Sequence, residues 1–461
     1  MIQDTIFALS TVWGKSGIAI IRLSGPSCKN ISKHLFEKKN LLPRRAHYTE
    51  IYDSQKKLID KGVVIFFKKP YSFTGEDMLE IHVHGSIAVV KKLIKELNSF
   101  EKLKPAEPGE FSKRSFLNNK MNMIEAEGIN NLVNSETETQ RKIFLNQSYG
   151  KSLDICNEWK KNILNISAMI DAKIEFSDED ENILSENVKN LIQKIIKQIE
   201  DNLKISNHGI KIRNGFNVLI FGPPNAGKST LFNFINREEM AITTHEAGTT
   251  RDLIISSLEI NGYKFNFIDS AGIRMTNNNI EKIGISKTKK KAHQVDNLIL
   301  VLSPDCLNAK NIKELNKLIH DLEEKNLTVI FNKNDLNNFK KTKKKWLNEI
   351  KYLKKCPNLS ISCMSNFNNR NIESKLYKFI TKNLIKNALI KNENCYFTEV
   401  RQIEHLKKCL RFLKSGYNLY QKPDLCAEEI RLALREVESI KGNIDKEEKL
   451  GLIFSKFCIG K

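Results

Sequence analysis

The chain has no apolar run as long as the roughly 18 residues that a membrane-spanning helix needs, which excludes a helical integral membrane protein. Met1, Ile2, Gln3, Asp4 and Thr5 carry neither the basic flank nor the apolar stretch of a secretory signal. These absences set the expectation of a cytoplasmic protein with no membrane attachment. Cys-x-x-Cys is missing too. The nine cysteines (Cys28, Cys156, Cys306, Cys356, Cys363, Cys395, Cys409, Cys426, Cys458) are odd in number and scattered. That pattern excludes a disulfide framework or a zinc site and points to reduced thiols. No internal repeat and no low-complexity linker interrupts the sequence, so solenoid folds are excluded.

What is present is ordinary globular material: hydrophobic residues make up 40% and charged residues 28% of 461, enough for each domain to bury a core. Single cores rarely grow far beyond about 250 residues, so two or three domains are expected. The formal net charge is +21 and the isoelectric point about 9.4, which suits a partner made of phosphates. Lysine, asparagine and isoleucine are abundant in every region and the basic residues form no single block. Codon bias in an AT-rich genome would give the same balance.

Residues 1–118 alternate β-rich runs (Ile18 to Leu23, Gly62 to Phe67, Leu79 to His84) with a helical stretch near Ala88 to Leu97, an α/β module. Residues 119–212 turn helical, with apolar faces through Ile163, Ile166, Ile170 and through Val188, Ile192, Ile195, Ile199. Between them Ser177-Asp178-Glu179-Asp180 reads as the cap that starts the second helix. Strands alternating with helices then fill residues 213–380, implying a mostly parallel sheet. Residues 381–461 return to helix, with Ile403, Leu406, Leu410, Leu413 and Ile430, Leu434, Val437 on faces that cannot be buried alone. The natural partner is the earlier helical segment. The expected architecture is therefore an α/β domain inserted into a discontinuous helical domain, so that movements of the insert would be felt by its host.

The insert carries four motifs, each after a strand-like run. Gly222-Pro223-Pro224-Asn225-Ala226-Gly227-Lys228-Ser229 follows Asn217 to Phe221 and precedes a helix from Thr230, the required context of a P-loop. Its backbone N–H groups close around phosphate oxygens, Lys228 reaches the β and γ phosphates, and the Ser229 hydroxyl ligates magnesium. Asp269-Ser270-Ala271-Gly272 follows Phe265 to Ile268, where the Asp can hold a magnesium water and the Gly N–H can meet the γ-phosphate. Asn332-Lys333-Asn334-Asp335 follows Thr328 to Phe331, and the Asp335 carboxylate can accept N1–H and the exocyclic amine of guanine, a pair adenine lacks. Ser362-Cys363-Met364, after Leu359 to Ile361, is placed to support the guanine O6 through backbone N–H groups.

Four such elements at strand ends, where open α/β sheets bind ligands, point to a GTP hydrolase. The residue after Gly272 is Ile273 rather than the glutamine that positions water in many small GTPases. Glu281 is an acid that can orient water through bridging solvent. The loop Thr243 to Asp252 offers a threonine hydroxyl to complete the magnesium shell.

With Asp4-Thr5-Ile6, Ile21-Arg22-Leu23-Ser24-Gly25, Ser72-Phe73-Thr74-Gly75-Glu76-Asp77, Pro108-Gly109-Glu110-Phe111-Ser112, Ala247-Gly248-Thr249-Thr250-Arg251-Asp252 and the terminal Phe457-Cys458-Ile459-Gly460-Lys461, the whole chain resembles the MnmE/TrmE family of bacterial tRNA-modification GTPases. The resemblance implies an N-terminal α/β folate-binding and dimerisation domain, a discontinuous helical domain and an inserted Ras-like P-loop G domain. It implies a homodimer that, with the flavoprotein MnmG in a heterotetramer, adds the carboxymethylaminomethyl group to C5 of the wobble uridine of certain tRNAs. A regulatory GTPase in ribosome assembly is the alternative that the G domain and charge also fit, without accounting for the folate-like module or the Cys-Ile-Gly-Lys tail.

The resemblance further implies that GTP is held by residues 225–230 and 244–250, by Asp269, Ser270, Ala271 and Gly272, and by Asn332, Lys333, Asp335, Ser362 and Cys363. Within the loop these are Thr244, His245, Glu246, Ala247, Gly248, Thr249 and Thr250, and in the P-loop Asn225, Ala226, Gly227, Lys228, Ser229 and Thr230. Magnesium falls to Ser229 and Thr250. An activating potassium ion falls to Asn225, Thr244, Glu246 and Thr249, standing where an arginine finger would otherwise place its charge. Glu281 matches the water-orienting glutamate.

A 5-formyl- or methylene-tetrahydrofolate falls to Arg22, Glu80, Lys120 and Lys461, one acid and three bases for a pterin and a glutamate tail. Cys458 is a nucleophile or one-carbon acceptor on this reading, or a structural thiol in a docked tail. His82-Val83-His84 places two rings on one strand face with no third metal ligand evident. The sequence departs from the family pattern at His245 and Glu246, usually an acid followed by an aliphatic residue, and at Cys363-Met364, usually Ala and a basic residue. Potassium affinity and nucleotide off-rate are where those departures would tell.

Overall fold

A computed structural model describes residues 4–36, 40–175, 181–236, 255–269, 290–322, 325–364, 370–385, 395–442, 447–455 and 457–460. The chain divides into two compact units. Met1–Val133, Leu145–Ile199 and Glu404–Lys461 form the first; Asn134–Phe144 and Glu200–Ile403 form the second.

The first unit is built on a six-stranded sheet: β1 (Thr5–Leu9), β2 (Ser16–Ser24), β3 (Ala46–Tyr52), β4 (Leu58–Phe67), β5 (Met78–Gly85) and β6 (Leu103–Pro105). The spatial order is β3-β4-β5-β2-β1-β6, antiparallel throughout except for the parallel β1/β6 pair. Period-two alternation sorts the strand residues to two faces. Phe7, Ile21, Leu23 and Ile81 meet Ile31 and Leu35 of the helix Cys28–Leu35 and Val90, Leu93 and Leu97 of the helix Ile87–Asn98. Ile6, Ala8 and Met78 meet Phe111 on the other face.

The same unit holds a helical layer. The helix Lys151–Glu175 buries Cys156, Trp159, Ile163, Ile166 and Ile170 at spacings of three and four. It packs along the helix Pro423–Lys441, which buries Cys426, Ala427, Ile430, Ala433, Val437 and Ile440. Lys160–Glu438 at 2.6 Å and Arg431–Asp171 at 3.1 Å flank the seam. Val188, Ile192, Ile195 and Ile199 of the helix Glu181–Asn214 are all buried. The expected faces hold at most positions but shift at two: Cys409 and Ala433 are buried where Leu410 and Leu434 were expected and are only half-buried. Small side chains let neighbouring helices approach closely, so the larger leucines move to the flanks. The proposed cap Ser177 to Asp180 lies outside the described residues.

The second unit carries β7 (Phe216–Phe221), β8 (Ile255–Ile260), β9 (Tyr263–Asp269), β10 (Asn297–Leu302), β11 (Asn326–Phe331) and β12 (Asn358–Ser360), in the order β12-β11-β10-β7-β9-β8. Every pair is parallel except β8/β9. A parallel sheet covered on both faces needs continuously apolar strands, and all six residues of β10 are buried. The strand order reverses at β7, with β10 on one side and β9 on the other, so a crevice opens at the C-terminal ends of these strands.

Candidate functional site

β7 delivers the chain into the loop at Gly222, where φ is +149° and an added Cβ would lie 2.3 Å from the Val301 carbonyl oxygen. Only glycine lets the loop leave β7 this close to β10. Asn225 takes φ +62° and Gly227 φ +90°, curling the backbone onto the start of the helix Lys228–Ile235. A Cβ at Gly227 would fall 2.1 Å from the Asn332 amide nitrogen. The loop therefore wraps onto the positive end of a helix, where anions bind. The Lys228 ammonium donates to the Pro223 carbonyl at 2.9 Å, Ser229 is exposed in the first turn, and Thr230 is half-buried beside it.

Asn332 joins three loops. Its backbone N–H donates to the Leu302 carbonyl at 2.8 Å and its side-chain amide donates to the Ala226 carbonyl at 3.2 Å. Its side-chain oxygen accepts from the N–H groups of Lys333 at 2.8 Å and Cys363 at 3.2 Å. Buried to 2% exposure, it fixes the phosphate loop, the Asn-Lys-Asn-Asp loop and the Ser-Cys-Met loop to one another.

Lys333, at φ +59°, reaches the Asn225 carbonyl at 3.1 Å and the Asp305 carboxylate at 2.5 Å. Ser303 Oγ reaches the same Asn225 carbonyl at 3.4 Å. Asp335 is exposed at the mouth, and Ser362 and Cys363 are buried. Burial pushes the Cys363 thiol up to about 12, so it stays neutral and acts as filling. Asp269 ends β9 and pairs in register with Ile220 of β7. Ser270, Ala271, Gly272, Glu281, Lys461 and the loop Thr244, His245, Glu246, Ala247, Gly248, Thr249 and Thr250 lie outside the described residues.

In the first unit, Arg22 of β2 stands opposite Glu80 of β5. Its Nε and Nη2 donate to Glu80 Oε1 at 3.1 and 2.8 Å, and Nη1 donates to the Gly460 carbonyl at 3.3 Å. Ser10 Oγ donates to that carbonyl at 3.2 Å. Gly460, at φ +89°, leaves no room for a Cβ against the Leu9 carbonyl. The C-terminal tail thus lies on the N-terminal sheet, pinned also by the Gly109 N–H on the Cys458 carbonyl at 3.3 Å and by Phe457 packed on Phe454. Cys458 itself is exposed. Lys120 is exposed, its stem 3.0 Å from where a Gly75 Cβ would sit.

Sequence reasoning missed residues of this region. Phe73 lies under the Arg22 guanidinium at 5.8 Å, and His82 Nε2 is 3.5 Å from Glu80 Oε2. Behind them Arg114, at 1% exposure, pairs with Asp4, Glu76 and Glu110 at 2.8, 3.3 and 2.9 Å. Burial pushes the Asp4 carboxyl up, but Lys104 and Arg114 outweigh it and hold it below the ordinary value. Arg114 lies in the helix Glu110–Leu117, opened by the Pro-Gly-Glu-Phe-Ser motif, which was the available signal. His84 rests on Asp60 at 2.9 Å, and no cluster of three metal-ligating side chains occurs among the described residues.

A mostly parallel sheet whose central strand feeds a glycine loop and helix, with the Asn-Lys-Asn-Asp loop tied to it through one asparagine, defines a P-loop G domain. Residues 5–120 match the family model described as GTP-binding protein TrmE N-terminus, and residues 123–458 match the MnmE helical domain. The chain belongs to the MnmE/TrmE family. It is 35% identical to the tRNA modification GTPase MnmE of Ehrlichia ruminantium (strain Gardel) over 100% of both chains. It is 38% identical to that of Rickettsia bellii (strain RML369-C), also over 100% of both. A solved G domain of the T. maritima FeoB iron transporter aligns with TM-score 0.24 and 21% identity, over 36% of this chain and 98% of that one.

Proposed function

We propose that this protein hydrolyses GTP in the service of tRNA modification. The observation that carries the reading is the Asn332 tie, which holds a phosphate loop and a guanine-selective Asp loop in one frame. Lys228 leaves the Pro223 carbonyl for the β and γ phosphates, Asp335 accepts the guanine N1–H and exocyclic amine, and Glu281 orients the attacking water. Asp269 stands at the β9 end beside the loop. Ser229 and Thr250 would hold magnesium, which supplies charge neutralisation at the phosphates.

Potassium fits the donor set as well. Asn225 is exposed, its backbone carbonyl is taken by Lys333 and Ser303, and its side-chain oxygen with Thr244, Glu246 and Thr249 would supply the donors. In the first unit Arg22, Glu80, Lys120 and Lys461 would hold a tetrahydrofolate derivative, the one-carbon source. Cys458, which is exposed, would serve as acceptor. The full reading is a homodimer that works with the flavoprotein MnmG at C5 of a wobble uridine.

Steady-state GTP hydrolysis in potassium and in sodium, with Asn225→Ala alongside, tests it. Potassium stimulation of about tenfold or more, lost in the variant, is expected; tenfold corresponds to about 1.4 kcal/mol of barrier. Equal rates in both salts would sink the potassium assignment.

A further inference from the structure

The even spread of basic residues read from composition breaks at residues 340–355, which hold eight lysines and one glutamate, in a chain whose totals are 75 basic and 54 acidic. The structure turns this run into a surface. In the helix Phe339–Glu349, Thr342 and Trp346 are buried, and the Trp346 indole N–H donates to the Ser303 carbonyl at 3.4 Å. Lys343 turns inward to Asn358 and Ser360, each at 3.0 Å. With that face anchored, Lys340, Lys341, Lys344 and Lys345 share the opposite, exposed face, and none of the four has a carboxylate partner among the described residues.

Beside this face runs a groove of about 480 Å³, lined by Asn308, Lys313 and Asn316 of the neighbouring helix and its cap and by Lys345 and Glu349 of this one. The Asn316 amide donates to the Glu349 carbonyl at 3.3 Å, closing one end. Like charges at i,i+4, Lys340 with Lys344 and Lys341 with Lys345, repel one another and cost helix stability. Glu349, four residues beyond Lys345, is the one acid of this helix. A polyanion laid along this face would relieve that repulsion.

We propose that this face and groove dock the phosphodiester backbone of tRNA, a proposal that rests on the reading of tRNA as substrate. Lysine ammoniums neutralise successive phosphates, and the amides of Asn308 and Asn316 supply hydrogen bonds to phosphate and ribose oxygens. Neither helix exposes a large apolar side chain, so the face lacks what a membrane interface would insert. The anchoring bond to Ser303, which itself reaches the Asn225 carbonyl, roots the docking helix in the nucleotide loop.

The test is binding of an unmodified tRNA transcript with uridine at the wobble position, to the full chain and to a K340Q/K341Q/K344Q/K345Q variant, across salt concentrations. The variant should bind at least tenfold more weakly near 0.1 M salt, and the slope of log affinity against log salt should fall by about 3. Its GTP turnover without RNA should be unchanged and its melting temperature no lower. Equal affinity and slope for the two proteins would overturn the proposal while leaving the substrate reading intact. No tRNA binding by the wild-type chain at any salt would remove that reading and the proposal with it. Binding of phosphatidylglycerol vesicles that depends on the four lysines, with tRNA binding unaffected by them, would assign the face to a membrane instead and overturn the proposal.

Discussion

At the residue scale one side chain organises the nucleotide site. Asn332→Ala would leave the Ala226 carbonyl and the Lys333 and Cys363 N–H groups without the partner that now satisfies them. Each buried polar group so orphaned costs about 1–3 kcal/mol. The expected result is a loss of about 2–3 kcal/mol of stability by urea denaturation and at least tenfold weaker GDP binding. Stability and affinity within error of wild type would show that the three loops hold their positions independently. The spacing Asn-Lys-x-Asp predicts a purine site, yet it says nothing of this tie, because the Ala226 and Cys363 partners of Asn332 lie 106 and 31 residues away. The same limit hid the contacts of His82 and Phe73 with Glu80 and Arg22, which only the assembled sheet and its flanking loop reveal.

Elements were more legible than their contacts. β7, β10 and β11 are near-continuous apolar runs broken by Asn217, Asn297, Asn326 and Thr328, as strands buried on both faces tend to be. The expected β-runs and the helix near Ala88 to Leu97 lie within a residue or two of β2, β5 and the helix Ile87–Asn98, while β4 begins at Leu58, four residues before the expected Gly62. What periodicity could not settle is which residue of a wide apolar face sits at the closest helix approach, since Leu434 and Ala433 differ by only 100° around the helix. The buried position went to Ala433. Ala433→Leu should therefore overpack the seam against the helix Lys151–Glu175 and cost about 1–3 kcal/mol, measured by urea denaturation. Leu434→Ala should cost less than the 2–5 kcal/mol usual for a fully buried leucine. If the two costs come out reversed, the helix is rotated from the orientation described here.

At the scale of the whole molecule, the first unit is assembled from three stretches of chain, and its N-terminal sheet receives the C-terminal tail across some 440 residues of sequence. Composition cannot reveal that contact; the family resemblance suggested it by setting Arg22 and Lys461 in one ligand set. Arg22 spends two donors on Glu80 and one on the Gly460 carbonyl, so the tail fixes the third corner of the guanidinium and therefore the plane it presents to a ligand. Removing Phe457–Lys461 should free that corner, expose the face of Phe454 that Phe457 covers, and leave the second unit's own contacts untouched. On the proposed folate reading, reduced-folate binding, followed by fluorescence or calorimetry, should fall by at least tenfold, while GTP hydrolysis measured without folate stays at the wild-type rate. A shortened chain that bound 5-formyl-tetrahydrofolate as tightly as the full one would mean that Arg22 and Glu80 hold their geometry without the tail, and the tail would then be left with Cys458 as its reason for lying there.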